Sequence, residues 1–152
     1  MKPRVSLQAN IASGTSNPTS RLWSTFDQQY PSSHDKLDFA DQVGWRNIEQ
    51  VRGAIDEGIG KKVKVRETYE EFWLHSRRDA LYSSSGAPVV QSSNGTAGRH
   101  VGGEFDVYGT YDVSKALTVG AGYARFFTGG FLNRTTAGKD YNYPWVFANY
   151  YF

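Results

Sequence analysis

The chain has 152 residues, enough for one domain of ordinary size and too few for two. It is only 39% hydrophobic yet 15% aromatic, with one Met, no Cys and no window near twenty apolar residues; a disulfide scaffold, a thiolate zinc site and a helical membrane bundle are excluded. The formal charge of +2 is spread evenly, with residues 1–44 summing to zero and 45–82 and 83–152 to +1 each, so nothing points to nucleic acid.

In chain order, Val5, Leu7, Ala9 and Ile11 alternate with Ser6, Gln8, Asn10 and Ala12, a period of two that predicts a strand and is no signal h-region. An exported protein would have its signal outside this chain. A Ser/Thr/Asn/Gly stretch follows from Ser13 to Ser20, and Trp23 to Gly44 reads as a long loop dense in Asp, Tyr, Pro and Ser. The middle is ambiguous. Trp45, Ile48, Val51 and Ile55, then Val65, Tyr69, Phe72 and Trp73, have helical spacing around Gly58-Ile59-Gly60, which places an αα-hairpin slightly ahead on periodicity alone. As strands, Val51, Gly53 and Ile55 would oppose Arg46, Gln50, Arg52 and Asp56, with Val63 and Val65 opposing Lys64 and Arg66; Glu67 then falls on the apolar face.

The C-terminal end is clearer. Val101, Phe105, Val107 and Tyr111 share one face and His100, Glu104, Asp106 and Thr110 the other. After a short turn, Leu117, Val119, Ala121 and Tyr123 alternate with Thr118, Gly120, Gly122 and Ala124. A polar loop from about Thr128 to Asp140 leads to a last strand with Val146, Ala148, Tyr150 and Phe152 on one face. A composition polar on average but rich in Tyr, Trp and Gly fits a β-barrel wall, where every second residue faces lipid.

Ordered sets of residues resemble the C-terminal part of the alginate-export family of outer-membrane β-barrels. They are Thr25-Phe26-Asp27 with Tyr30-Pro31 and His34; Asp41 through Ile48; Phe72-Trp73-Leu74 with Arg77 through Tyr82 and Ser85-Gly86; Val101 through Asp106; and Gly122-Tyr123 with Phe126-Phe127 and the final aromatic strand. The resemblance implies an all-β fold: a transmembrane antiparallel β-barrel with six strands here, at roughly 4–13, 44–57, 62–76, 99–112, 116–127 and 142–152. Short turns would face the periplasm, with both termini, and long connections the outside. Six strands are too few to close a barrel, since the smallest common ones use about eight. The expectation is therefore that residues 1–152 are the C-terminal segment of a larger barrel of about eighteen strands, a truncated gene, or a subunit completed by copies of itself.

The function this resemblance implies is that of a porin-like wall in the outer membrane of a Gram-negative bacterium, passing anionic saccharides or other small acidic solutes by diffusion, with no enzymatic step and no cofactor. Arg46, Arg52, Lys64 and Arg66 would line the lumen opposite Glu104 and Asp106; the same residues would serve equally as cross-strand ion pairs that only stabilise the wall. Tyr111, Tyr123, Phe126, Trp145, Tyr150 and Phe152 are expected in the membrane-interface girdle. The implied partners are outer-membrane lipid, lipopolysaccharide, an anionic polysaccharide, and the barrel-assembly machinery, which would read the C-terminal strand.

Competing chemistry is weaker. Asp27, His34, Asp35, Asp38 and Asp41 offer oxygen ligands but match no EF-hand, and a solvated, lipopolysaccharide-facing loop is the favoured reading, with no metal. Glu67, Glu70 and Glu71 read as surface rather than a glycosidase pair, and the three His sit in no nucleophile motif. Gly58 through Lys62 and Gly120-Ala121-Gly122 lack the spacing of phosphate or dinucleotide loops. The alternative class is a soluble β-rich carbohydrate-binding module using Trp23, Trp45 and Trp73 as sugar platforms.

Overall fold

The computed structural model describes residues 3–17, 19, 21–30, 37 and 39–152. In chain order the elements are β1 (Arg4–Ala12), β2 (Ile48–Ile59), β3 (Val63–Leu74), β4 (Ala80–Tyr82), β5 (Pro88–Gln91), β6 (His100–Asp112), β7 (Leu117–Thr128), α1 (Gly130–Thr135) and β8 (Tyr141–Tyr150). Six of the strands form one sheet in the order β1-β2-β3-β6-β7-β8, antiparallel throughout. Barrel closure is not seen: β1 and β8 are the two ends of this sheet. The long connections contribute a separate β4-β5 hairpin and the single turn and a half of α1.

The middle of the chain is sheet, which overturns the helical spacing. Ile48, fully buried, and Val51 and Ile55, 54% and 41% exposed, lie on opposite faces of β2, so their i, i+3, i+7 relation mixes two surfaces. Twelve consecutive register pairs from Ile48↔Leu74 to Ile59↔Val63 join β2 to β3. A ladder of that length satisfies the backbone of both segments and overrides a coincidental helical period.

The two faces of the sheet differ in kind. One is bare: Val5, Leu7, Ile11, Val51, Ile55, Ile59, Tyr69, Phe105, Tyr111, Tyr123, Phe127, Val146 and Tyr150 are all exposed large hydrophobics on it. Glu67 stands in this apolar field between Ile55 and Val107, as the strand alternation requires. The other face is covered by the long connections and carries Gln50, Arg52, Thr68, Glu70, Glu104 and Asp106, all buried.

Alternation breaks once. The β3–β6 register shifts between Phe72 and Trp73, so that Phe72 pairs with Gly102 but Trp73 pairs with His100. Gly102 sits at φ 151°, where a Cβ would strike the Phe127 carbonyl oxygen and the Phe126 ring. The bulge reverses the phase of what precedes it. Val101, expected beside Phe105 and Val107, is instead fully buried under the covered face, while His100 joins Glu71 at 2.7 Å on the bare side.

The apolar core lies at the end of the sheet where the long connections gather. Ile48, Phe72, Leu74, Val101 and Phe126 from the sheet meet Leu37 and Val43 from the β1–β2 connection, Leu81 from β4, Ala97, and Phe131 from α1. At the opposite end the short turns after β2 and β6 lie beside both ends of the chain, with Arg4 paired to Asp56 and Tyr150 to Leu117.

Candidate functional site

On the covered face the cross-strand rows set the chemistry. One row runs Gln8, Arg52, Glu70, Glu104, Phe126, Tyr141, and the next runs Ser6, Ala54, Thr68, Asp106, Ala124, Tyr143. These place Arg52 beside Glu70 at 3.6 Å, with side chains 8% and 0% exposed. Gln50 Nε2 donates to Glu70 Oε2 at 2.5 Å and to the Leu37 carbonyl at 3.0 Å. Glu70, Glu104 and Asp106 bring carboxylate oxygens within 4.8 Å of one another.

Leu37 and residues 39–43 form a strap over this row. Glu104 Oε1 accepts from the Phe39 and Ala40 backbone N–H groups at 2.8 and 3.3 Å. Phe39 stacks on Trp145 at 5.2 Å and tilts against Tyr108 at 5.2 Å. Opposite on β7, Gly120 and Gly122 leave room for the rings of Phe147 and Trp145, which would collide with any Cβ there. The Gly-Ala-Gly run is thus a bed for aromatic rings. The solvated-loop reading of Asp27 to Asp41 fits Asp27, with its side chain 64% exposed, but not the strap, where Leu37 and Ala40 are 6% and 7% exposed. His34, Asp35 and Asp38, considered as cation ligands, lie outside the described residues.

Towards the short turns the same face opens into a cleft of about 560 Å³. Arg66 pairs with Asp56 at 3.5 Å and Lys64 with Asp112 at 3.9 Å in its wall. Arg4, Tyr108, Phe147 and Tyr151 complete a lining that mixes cations, acids and ring faces.

Of the six residues expected along the lumen, Arg52, Lys64, Arg66, Glu104 and Asp106 share this face. Arg46 does not. It precedes β2 and ties the connections together: its guanidinium donates to Asp27 Oδ1 at 2.8 Å, to the Phe26 carbonyl at 3.1 Å and to the Gly86 carbonyl at 2.9 Å, and stands 5.1 Å from the Tyr82 ring centroid. Strand β2 begins at Ile48 because Asn47 adopts φ 51° and turns the chain into the ladder. Glu70 was missed as an inward residue, although it shares parity with Lys64 and Arg66.

Two girdle expectations are corrected. Phe126 is 1% exposed and stacks on Tyr141 and Phe72, and Trp145 lies under Phe39. Both belong to the covered face because β7 and β8 carry aromatics on both sides. Tyr111, Tyr123 and Tyr150 point from the bare face, and Phe152 follows β8, fully exposed. The proposed sugar platforms are not one surface: Trp23 is in the β1–β2 connection, Trp45 packs on Phe26, and Trp73 stands on the bare face near His100.

A buried carboxylate organises the connections. Asp79 Oδ2 accepts from the Thr15 N–H at 2.8 Å and the Thr25 hydroxyl at 2.5 Å; Oδ1 accepts from the Ala80 N–H at 2.7 Å and the Tyr82 hydroxyl at 2.9 Å. Burial first, then the bond to Asp79, pushes the Tyr82 phenol up to about 12. Asn47 works beside it, donating to the Ser76 and Ala80 carbonyls at 3.0 and 2.9 Å and accepting from the Ser76 N–H at 2.6 Å.

No curated protein matches the chain. A family model described as "Alginate export" matches residues 1–147, nearly the whole length, and carries the implication of an outer-membrane export protein. With its all-β antiparallel sheet and that match, the chain belongs to the alginate export family of outer-membrane β-barrel transport proteins.

Proposed function

We propose that residues 1–152 form the C-terminal segment of a barrel wall of about eighteen strands, through which anionic saccharides or other small acidic solutes diffuse without a catalytic step. The observation that carries this reading is the contrast of the faces. Strands of 9 to 13 residues present an apolar surface on one side and buried charge with an open cleft on the other. About ten residues suffice for a tilted strand to cross a bilayer. The bare face meets lipid, with Tyr111, Tyr123, Tyr150 and Phe152 at its interfaces. Lipopolysaccharide adjoins the connections, and the assembly machinery takes β8.

The lumen is not a simple cationic track. Arg52, Lys64 and Arg66 each stand within 4.0 Å of a carboxylate, so the wall presents paired charge of both signs. Such pairs discriminate by local field and hydrogen bonding, with the exposed Lys64 and the half-buried Arg66 meeting a passing acid first. The test is solute flux through proteoliposomes carrying the assembled barrel. Lys64→Gln with Arg66→Gln should slow a uronic-acid disaccharide relative to a neutral disaccharide of the same size. An unchanged ratio would remove the assigned solute class.

A further inference from the structure

We propose that Glu70, Glu104, Asp106 and Thr68 form a binding site for a hard divalent cation of the calcium class, placed under the strap and independent of which solute the wall admits. Three carboxylates together are not a site in themselves. What marks these is which oxygens are already used. Glu104 Oε1 is taken by the Phe39 and Ala40 amides, and Glu70 Oε2 by Gln50 and Arg52. The remaining oxygens, Glu70 Oε1, Glu104 Oε2 and both of Asp106, are buried, and apart from the contact between the Glu104 and Asp106 carboxyls they meet no hydrogen-bond donor among the described residues.

Thr68 supplies the separate sign. Its side chain is 2% exposed, its Oγ1 has no partner among the described residues, and it stands directly across from Asp106 in the β3–β6 register. A buried hydroxyl without a partner beside carboxylate oxygens that meet only one another is costly unless a cation lies between them. All are oxygens, the donor type of calcium and magnesium rather than zinc or copper.

Ligand type and charge agree on the ion. The three carboxylates lie within 4.8 Å of one another and are buried, and a cage of protein oxygens suits calcium, since magnesium usually keeps several waters in its shell. With all three carboxyls ionised, the cluster beside the Arg52 guanidinium holds two negative charges, Asp41 adds a negative field at Glu104, and Arg66 is balanced by Asp56. A divalent cation brings the buried cluster to neutrality. Bound there, it would fasten β3 and β6 to the strap through Glu104.

The experiment is calorimetric titration of CaCl2 into the full chain, folded and stripped with chelator. One ion per chain is expected, with affinity about tenfold or more lower in Asp106→Asn and Thr68→Val, and unchanged in Asp27→Asn on the exposed connection. Should Asp106→Asn not fold, Thr68→Val and the wild-type chain decide, since CaCl2 should slow hydrogen exchange at the Phe39 and Ala40 amides. Absence of saturable binding, equal affinity in the variants, or exchange at Phe39 and Ala40 indifferent to CaCl2 would overturn the site; carboxyls sharing protons would then account for the cluster.

Discussion

Phe39 lies flat on Trp145, ring centroids 5.2 Å apart and planes 9° from parallel, so the first long connection rests on the last strand of the sheet. The strap, which follows β1 in sequence, thus rests on β8, the edge strand opposite β1 in the sheet. Phe39→Ala removes it together with the Tyr108 contact. An aromatic pair is worth about 0.5–1.5 kcal/mol beyond its burial. The variant should lose about 1–3 kcal/mol in denaturant melts once lost apolar area is included, and single-channel conductance of the barrel should rise as the strap loosens. Unchanged conductance would show that the strap does not narrow the path.

Asp79 ties its own segment, through Tyr82, to Thr15 and Thr25, which lie 64 and 54 residues away. Asp79→Ala removes the acceptor of four donors, of which the Thr15 N–H and Thr25 hydroxyl keep contacts with each other's side chains, and a buried donor left unsatisfied costs about 1–3 kcal/mol. A loss of about 3 kcal/mol or more is expected, with faster tryptic cleavage at the exposed Arg77 and Arg78. Wild-type cleavage rates in the variant would deny Asp79 its organising role.

Arg52 and Glu70 form the buried pair of the wall, with side chains 8% and 0% exposed. Arg52→Met leaves the carboxylate without its guanidinium, a change that costs about 3–5 kcal/mol in buried pairs. Adding Glu70→Gln should restore much of that loss. If the double variant is as unstable as the sum of the two singles, the pair is not coupled.

Asp140 gives a signed pH dependence outside the sheet. The Thr128 N–H at 2.9 Å and the Thr128 hydroxyl at 3.0 Å donate to its Oδ1 and hold the carboxyl below the ordinary aspartate value, with Arg125 adding attraction. A depressed folded value means the stabilisation is full above the unfolded value of about 3.9 and is lost as pH falls through the folded one. The NMR titration midpoint of Asp140 should lie below that value and rise part of the way in Thr128→Val, which keeps the backbone donor. A midpoint at or above it contradicts the arrangement.

The outer strands were legible because one face is apolar and the other is not: Val5 to Ile11 and Phe105 to Tyr111 alternate cleanly. The middle was not, because Ile48 on one face and Val51 on the other are both apolar, and two half-apolar faces imitate a helical stripe. Glu70 was readable by parity with Lys64 and Arg66, but its neighbours Glu67 and Glu71 on the bare face disguised it as a surface run. Phe126 and Trp145 were misplaced for a related reason, since aromatics on both faces of β7 and β8 give no sign of which is inside. The bulge at Gly102 and the descent of Phe39 and Ala40 onto Glu104 depend on contacts between distant segments, which local pattern does not encode. Arg46 was drawn into the wall by a strand start four residues too early, at 44 rather than Ile48.

A barrel wall of this kind requires the bare face to meet lipid and the covered face to meet water. Because the chain has no Cys, single spin-labelled cysteines at consecutive positions 105–110 of β6 report this without background. In lipid bilayers, accessibility to dissolved oxygen should peak at Phe105, Val107 and Gly109, and accessibility to a polar nickel chelate should be lowest there, with the opposite phase at Tyr108 and Thr110. Oxygen and nickel profiles that rise and fall together, or that show no period of two, would contradict it.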